Sequence, residues 1–445
     1  MPMIVAILIV VLLLLAALAI RIPVAFALGI SGTVGLIMLQ GTTSAIGSMG
    51  SVPFNSTASL SLAVIPMFVM MGMLAQVAGI PEQLFRIANM RLKRLPGGLA
   101  VASVVASAGF GAVTGSSVAA AATMGRLGVT QMIELGYRRS FAAGVVASAG
   151  TLGVLIPPSV ILVLYGVVTQ ESIGKLLLAG LIPGLISALG FSIFIIGRAW
   201  ARPASVYVDG KAGHDHTTQF SSPDRPKYHH LLWLALVFVV IIGGIYGGVF
   251  TATESGAVGV LVLTMVAAWE LRKGGIRGIA KGFATGVRDT ASTSGMMLGV
   301  VIGASLFSAF LVRSGATAQL TNTLLSTALP PTLLALALIL SIVVLGTILE
   351  SFSLLIIIVP LIYPVITGLG YDGIWLGIVV AKAVEIGLLT PPVGMNAYVV
   401  AGSVPGLKVE ETFRGIWAFL WVELGLLLLM FFVPEIVLWL PSHVS

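Results

Sequence analysis

The chain has 445 residues, 58% hydrophobic and 9% charged, with a formal net charge of +7 and a mean hydropathy of +1.10. A soluble domain carries about a quarter charged residues, so soluble catalytic, nucleic-acid-binding and fibrous classes fit poorly and the composition implies an integral membrane protein in a lipid bilayer. Absence of Cys excludes disulfides, thiolate metal sites and a Cys nucleophile, and 53 Gly and 21 Pro imply broken helices, which lipid tolerates only where protein or a water-filled cavity satisfies the backbone.

In chain order, the first apolar run, Met3 to Ile20, has no basic residues ahead of it and no small-residue cleavage site behind it. It therefore reads as a retained helix, not a signal peptide. Further apolar runs fall at 23–40, 58–79, 141–168, 176–198, 230–249, 252–270, 288–312, 332–349, 352–369, 374–402 and 415–440. At roughly 20 apolar residues per span, the length holds on the order of a dozen. One long hydrophilic stretch, 200–229, divides a first half (1–199) from a second (230–445) and is expected to be a cytoplasmic loop.

Basic residues cluster at Arg86, Arg91, Lys93 and Arg94, again from Arg198 to Lys227, and again from Arg272 to Lys281. The +7 is read as loop charge obeying the positive-inside bias, with no nucleic-acid partner. If all three clusters are cytoplasmic, the spans at 58–79 and 176–198 both run inward. Between them lie one full span, 141–168, and a small-residue stretch, 98–125. Parity makes that stretch re-entrant and puts both termini outside. The hairpin is assigned to 98–135, turning near Gly115-Ser116-Ser117, with small residues that let two short helices pack closely.

The halves repeat 234 residues apart: Gly136-Tyr137 falls on Gly370-Tyr371, Gly153 on Gly387, Ser117 on Ser351, and Pro157-Pro158 on Pro391-Pro392. The second half therefore contains its own hairpin, at about 330–370. The run 23–40 is counted as running outward and its counterpart, 252–270, inward, so the repeats are inverted, as in secondary transporters.

Each Pro-Pro pair lies inside an apolar run. Proline removes a backbone donor and clashes with the preceding turn, so both helices should unwind, near Thr151–Pro158 and Ile386–Gly394. Freed carbonyls and nearby hydroxyls suit a hard cation such as Na+. One expected site combines Ser116, Ser117, Thr151 and Gly153; the other combines Ser351, Ser353, Thr390, Gly394 and Asn396. Charged residues within the apolar runs are Glu254, Arg288, Asp289, Glu350, Lys382, Glu385 and Glu423, which are functional candidates by default. Glu350, beside Ser351, leads them, with capping of a half-helix as its alternative role. Lys382 and Glu385, three apart, have pairing across one helical turn as their structural alternative, while Lys382, like the other cations, is a candidate for attracting an anionic substrate. The five His, His214, His216, His229, His230 and His443, are assigned outside the apolar core. No phosphate-loop motif and no catalytic constellation are visible, which argues against an enzyme.

The chain resembles the large membrane subunit of tripartite ATP-independent periplasmic (TRAP) transporters, through RIPVAFALG, IPMFVMMGMLAQVAGI, PGGLAVASVVASAGFGAVTGSSVAAAATMG, GTLGVLIPPSVILVLYG, LAGLIPG, GGVFTATESGAVG and EIGLLTPPVGMNAYVVAG. The resemblance implies an all-α elevator-type transporter of the bacterial inner membrane, with two re-entrant hairpins, two broken helices and Na+ near the hairpin tips. It carries site roles to Ser116, Ser117 and Pro157, and to Ser351, Thr390, Pro391 and Gly394. It implies two partners, a small four-helix membrane subunit and a periplasmic substrate-binding protein, and a small organic anion as cargo. Glu350 departs from the family, which usually has Asp there. Since no four-helix segment precedes Arg21, the small subunit is expected to be a separate chain. A stand-alone ion-coupled carrier is the alternative within transport, and a lipid-directed membrane enzyme the alternative outside it.

Overall fold

The computed structural model describes residues 3–20, 22–210 and 227–443. Arg21 and most of the hydrophilic stretch, with Lys211, His214, His216 and Arg225, lie outside the described residues. Helix α1 spans Met3–Ala19, and α2 spans Val24–Thr57 with a break at Gly41. A 3-10 turn, Leu60–Ala63, leads into α3 (Val64–Val77), from which α4 (Ile80–Leu92) bends away by 62°. Then come α5 (Gly98–Thr114), α6 (Ser117–Met124), a π segment over Gly125–Val129 and α7 (Thr130–Glu134). Helices α8 (Arg139–Gly150) and α9 (Leu152–Leu155) form one rod, bent by 43° from α10 (Val160–Thr169), and α11 (Ile173–Ala201) closes the half.

The second half contains α12 (His229–Tyr246), α13 (Ala252–Leu271), α14 (Gly275–Arg313), α15 (Ala316–Leu325) and α16 (Pro331–Gly346). It ends with α17 (Ser351–Gly368), α18 (Gly373–Leu389), α19 (Met395–Ser403), α20 (Val409–Phe432) and α21 (Glu435–Ser442). The shift read from the sequence, 234 residues, carries the limits of α8–α9 onto those of α18, and Ser117–Glu134 onto α17. It also carries Gly41 (φ 77°) onto Gly275 (φ 64°), both in the left-handed region that a side chain disfavours.

One element breaks the correspondence. The first half interrupts its helix before α3, whereas α14 runs unbroken for 39 residues. Pro66 lies in the first turn of α3 and cannot donate back to residue 62, while Val300 stands at the equivalent place in α14.

The repeats are inverted, and side-chain pairings along the rods show it. Helices α8 and α20 run parallel: Arg139 pairs with Glu411 (3.4 Å) near their starts, and Thr151 lies 2.8 Å from Glu423 further along both. Helices α18 and α20 run antiparallel. Trp375, early in α18, donates to the Met430 carbonyl (2.9 Å), and Lys382, later in α18, pairs with the earlier Glu423. The equivalent helices α8 and α18 therefore point in opposite directions.

The stretch 98–134 is a hairpin. A Cβ added at Gly128 would lie 2.9 Å from Ser103 Oγ, so the π segment returns alongside α5. Both ends meet at Tyr207, which accepts from the Gly97 amide (3.0 Å) and packs on Tyr137 (4.8 Å between ring centroids). The chain thus enters and leaves on the side of the basic stretch.

Among the described residues, seven helices are long and apolar enough to cross a membrane, or up to nine if each bent pair is one span. That is fewer than the dozen expected from length. The difference lies in the runs of α1, α16 and α18, whose helices are only 17, 16 and 17 residues long, at or below the lower end of a spanning length.

Candidate functional site

The first hairpin tip sits on the first helix break. Ser116 is extended (φ −132°, ψ 120°) and its Oγ accepts from the Ala119 amide (3.3 Å), capping α6. A Cβ at Gly115 would lie 2.8 Å from the Pro158 carbonyl and 2.9 Å from the Val160 amide nitrogen, and one at Gly153 would lie 3.3 Å from the Ser116 carbonyl. Deeper in, α5 crosses α9 at Gly111 and Gly153, where a Cβ on Gly111 would lie 2.9 Å from the Gly153 nitrogen. Bare glycines let the two backbones touch. The break runs through extended Ile156 (φ −78°, ψ 119°), the Pro157-Pro158 pair, and Ser159, whose Oγ caps α10 by accepting from Leu162 (3.3 Å).

The second tip repeats the arrangement with different chemistry. Glu350 occupies the place of Ser116, and its carboxylate accepts from the amides of Ser353 (3.0 Å) and Phe352 (3.4 Å) and from Ser353 Oγ (2.6 Å). Its role in this structure is the capping one, favoured by the positive end of the α17 dipole. The Val393 amide donates to the Thr347 carbonyl (3.1 Å), tying the second break to its own hairpin. Helices α16 and α18 cross at Gly346 and Gly387, where a Cβ on Gly387 would lie 2.5 Å from the Gly346 Cα. Thr390 is extended (φ −93°, ψ 135°) and donates to the Ile386 carbonyl (2.7 Å), and Gly394 is left-handed (φ 55°). Of the candidates here, Ser351 and Ser353 are buried, and Asn396 is fully buried with neither side-chain polar atom partnered among the described residues.

Between the tips lies a buried ionic network. Ser117, the first residue of α6, donates to Glu385 of α18 (3.1 Å); Ser351 is its repeat partner in the second hairpin. Lys382 pairs with Glu423 of α20 and donates to Ser187 of α11 (3.2 Å), with the Phe191 ring 5.8 Å away. The alternative of a Lys382–Glu385 pair across one turn is not the one adopted: the ammonium turns to the facing helices, where a carboxylate and a hydroxyl share it. Glu423 also meets Thr151, whose Oγ1 lies 2.6 Å from the Ser148 carbonyl, so one carboxylate joins both broken helices. All three charged groups are at most 1% exposed, where an unpaired charge would be very costly.

The tips and breaks meet as expected, but the hydroxyls of Ser117 and Thr151 address carboxylates supplied by the second half. That link escaped sequence reading although its signal was present. Thr151 and Glu385 are equivalent under the repeat, as are Ser148 and Lys382, so the second half carries an ion pair's components where the first carries hydroxyls. Glu385 Oε2, Ser148 Oγ and the Asn396 amide are buried without partners among the described residues. Unpartnered buried oxygens are a fit for a hard cation.

The remaining candidates have local roles. Glu254 forms a capping box with Thr251 at the start of α13, and Arg288 and Asp289 are exposed on α14. His229 and His230 begin α12 and do not belong to the loop. His230 is buried, and both approach Glu270, at 2.7 and 3.8 Å, while Lys227 already pairs with that carboxylate at 3.2 Å.

Residues 11–436 match the family described as the tripartite ATP-independent periplasmic transporter, DctM component. The C4-dicarboxylate TRAP transporter large permease protein DctM of Pseudomonas aeruginosa is 31% identical over 417 residues, covering 93% of each chain. The isethionate TRAP transporter permease protein DctMQ of Oleidesulfovibrio alaskensis is 29% identical over 94% of this chain and 64% of its own length. In fold, the chain is similar to the YdaH transporter of Alcanivorax borkumensis (TM-score 0.58, 15% identity, 88% of this chain and 89% of that one).

Proposed function

The chain belongs to the DctM family, the large permease component of tripartite ATP-independent periplasmic transporters in the bacterial inner membrane, and from that premise we propose that it takes up a small organic acid coupled to Na+. The cargo would arrive on a periplasmic binding protein, with a small membrane subunit beside the permease. The longer DctMQ relative supports the second partner, since this chain covers only 64% of it. Relatives named for C4-dicarboxylate and for isethionate support an anionic cargo, carboxylate or sulfonate, over any one compound.

The observation that carries the reading is the paired tip-and-break junction. Ser116, Ser117, Thr151 and Gly153 would hold one Na+ with carbonyls freed around Pro157; Ser351, Ser353, Thr390, Gly394 and Asn396 would hold another beside Pro391. The bound ion would supply charge that draws an anion to the tips. The chain's own residues do the rest. Glu385 ties Ser117 of the first hairpin to α18, and Glu423 with Lys382 ties α18 to α8, α11 and α20. Hairpins and broken helices can then move together as one rigid body past the remaining helices, an elevator step. Moving one net charge through 100 mV is worth about 2.3 kcal/mol, so two Na+ with one monoanion would drive accumulation without ATP.

The test is uptake into proteoliposomes holding both membrane subunits, with loaded binding protein outside and an imposed Na+ gradient. Uptake should require external Na+, and Ser117→Ala or Thr390→Ala should weaken Na+ dependence more than expression. Equal uptake with and without external Na+ would remove the coupling.

A further inference from the structure

Away from the hairpin junctions, a cavity of about 570 Å³ separates α2 and α14 from α10 and α17. It lies on the face opposite the basic stretch. Helix α8 starts beside that stretch, with Arg138 bonded to the Ala204 carbonyl (2.6 Å), and α10 continues away from it to Gln170 at the cavity rim. The α2–α14 wall carries polar groups among its apolar ones: Asn55 and Ser56 from the last turn of α2, Ser59 just after it, Ser305 and Ser308 from one face of α14, and Arg313 at its end. The opposite wall, from α10 and α17, is apolar apart from Gln170.

Arg313 is the one charged residue in the lining. Its Nη1 donates to Gln40 (3.0 Å) and Ser48 (2.7 Å) of α2, which fixes the guanidinium from behind. Nη2 and Nε have no protein acceptor among the described residues. A fixed guanidinium edge with free donors matches the paired oxygens of a carboxylate or sulfonate. The volume is in the range of small-molecule sites, and the lining carries one positive and no negative side chain.

We propose that this cavity is an anion vestibule on the extracytoplasmic face, in which Arg313 docks the acid group of the cargo before it reaches the hairpin junctions. The proposal rests on the transport reading for its cargo, but its test does not. The chain has no Cys, so Ser308→Cys provides a single thiol in the vestibule. Right-side-out membrane vesicles carrying the full chain would be treated with membrane-impermeant thiosulfonates, one anionic and one cationic, at low salt.

The anionic reagent should react about tenfold faster than the cationic one, the lower end of what a focusing cleft achieves. In Arg313→Gln the ratio should fall to near one, and Arg313→Lys should keep most of it. If Arg313→Gln does not reach the membrane, salt makes the same measurement: the ratio should collapse as the screening length shortens from about 30 Å at 0.01 M to about 3 Å at 1 M. A ratio untouched by charge removal or salt overturns the proposal, as does a thiol unreactive to both reagents. Protection found only in vesicles of anionic phospholipid would assign the site to a lipid headgroup and overturn it too. Failure of Na+-coupled uptake leaves these rates unchanged, so the two readings fail separately.

Discussion

Thr151–Ser159 and Glu385–Val393 hold equivalent places in the two repeats and share the Pro-Pro break, yet every residue of the first is buried while Pro391, Pro392 and Val393 are exposed. The first break is covered by its own hairpin tip, through Gly115 against Pro158 and Val160. The second is held to its hairpin by the Val393–Thr347 bond and is otherwise open. A symmetric fold thus holds an asymmetric state, as alternating access between inverted halves requires. The chemistry is unequal as well: hydroxyls at Ser148 and Thr151 in one rod become Lys382 and Glu385 in the other.

The largest expected effect tests that chemical inequality. Lys382→Ala leaves Glu423 buried without its cation and should cost about 3–5 kcal/mol, seen as a large fall in the thermal midpoint of purified protein. Ser148→Ala at the equivalent place removes a hydroxyl with no partner and should leave the midpoint unchanged. Lys382→Met with Glu423→Leu should recover most of the stability, because the pair is removed together. If Lys382→Ala were as stable as the parent, the network would not be what joins the two rods.

A smaller effect tests the unequal exposure. Ser159 and Val393 are equivalent, the first 0% and the second 39% exposed. In this Cys-free chain, Val393→Cys should react with a water-soluble maleimide at least about tenfold faster than Ser159→Cys, a difference of about 1.4 kcal/mol in accessibility free energy. If the two breaks exchange exposure during transport, conditions that reverse the gradient should move the rates toward each other. Equal rates under all conditions would mean that the asymmetry has no functional counterpart.

The sequence carried most of the fold because its repeat is written in residues that shape backbone. Gly-Tyr, Pro-Pro and the tip serine Ser117 recur at one spacing, and the helix limits follow them to the residue in α17 and α18. The hairpin assigned to 98–135 rests on charge parity and small-residue composition, and the structure closes it at 98–134. What stayed hidden was contact between the halves. Nothing in the text of α20 marks Glu423 as the partner of both Thr151 and Lys382, since that pairing depends on α20 running parallel to one rod and antiparallel to the other. For the same reason the sequence offers Lys382 no visible carboxylate nearer than its neighbour Glu385. The Arg313 cavity was equally illegible, because its walls come from four helices spread over both halves.

The smallest effect compares the two caps. Ser116 offers α6 one bond, to Ala119 at 3.3 Å, whereas Glu350 offers α17 two amide bonds and takes a third from Ser353 Oγ. Losing a single hydroxyl cap costs about 1 kcal/mol, and a carboxylate at a helix start adds about 0.3–1 kcal/mol through the dipole. Glu350→Ala should therefore destabilise more than Ser116→Ala, by roughly that dipole increment, in denaturant or thermal unfolding of purified protein. Glu350→Ser should bring the second tip close to the first, since it copies the residue found there. The shorter Glu350→Asp should keep the charge and most of the stability. Should Glu350→Ser match the parent in unfolding yet abolish uptake, the carboxylate would be acting on the transported ions and not on its helix, and the two tips would differ in function as well as in strength.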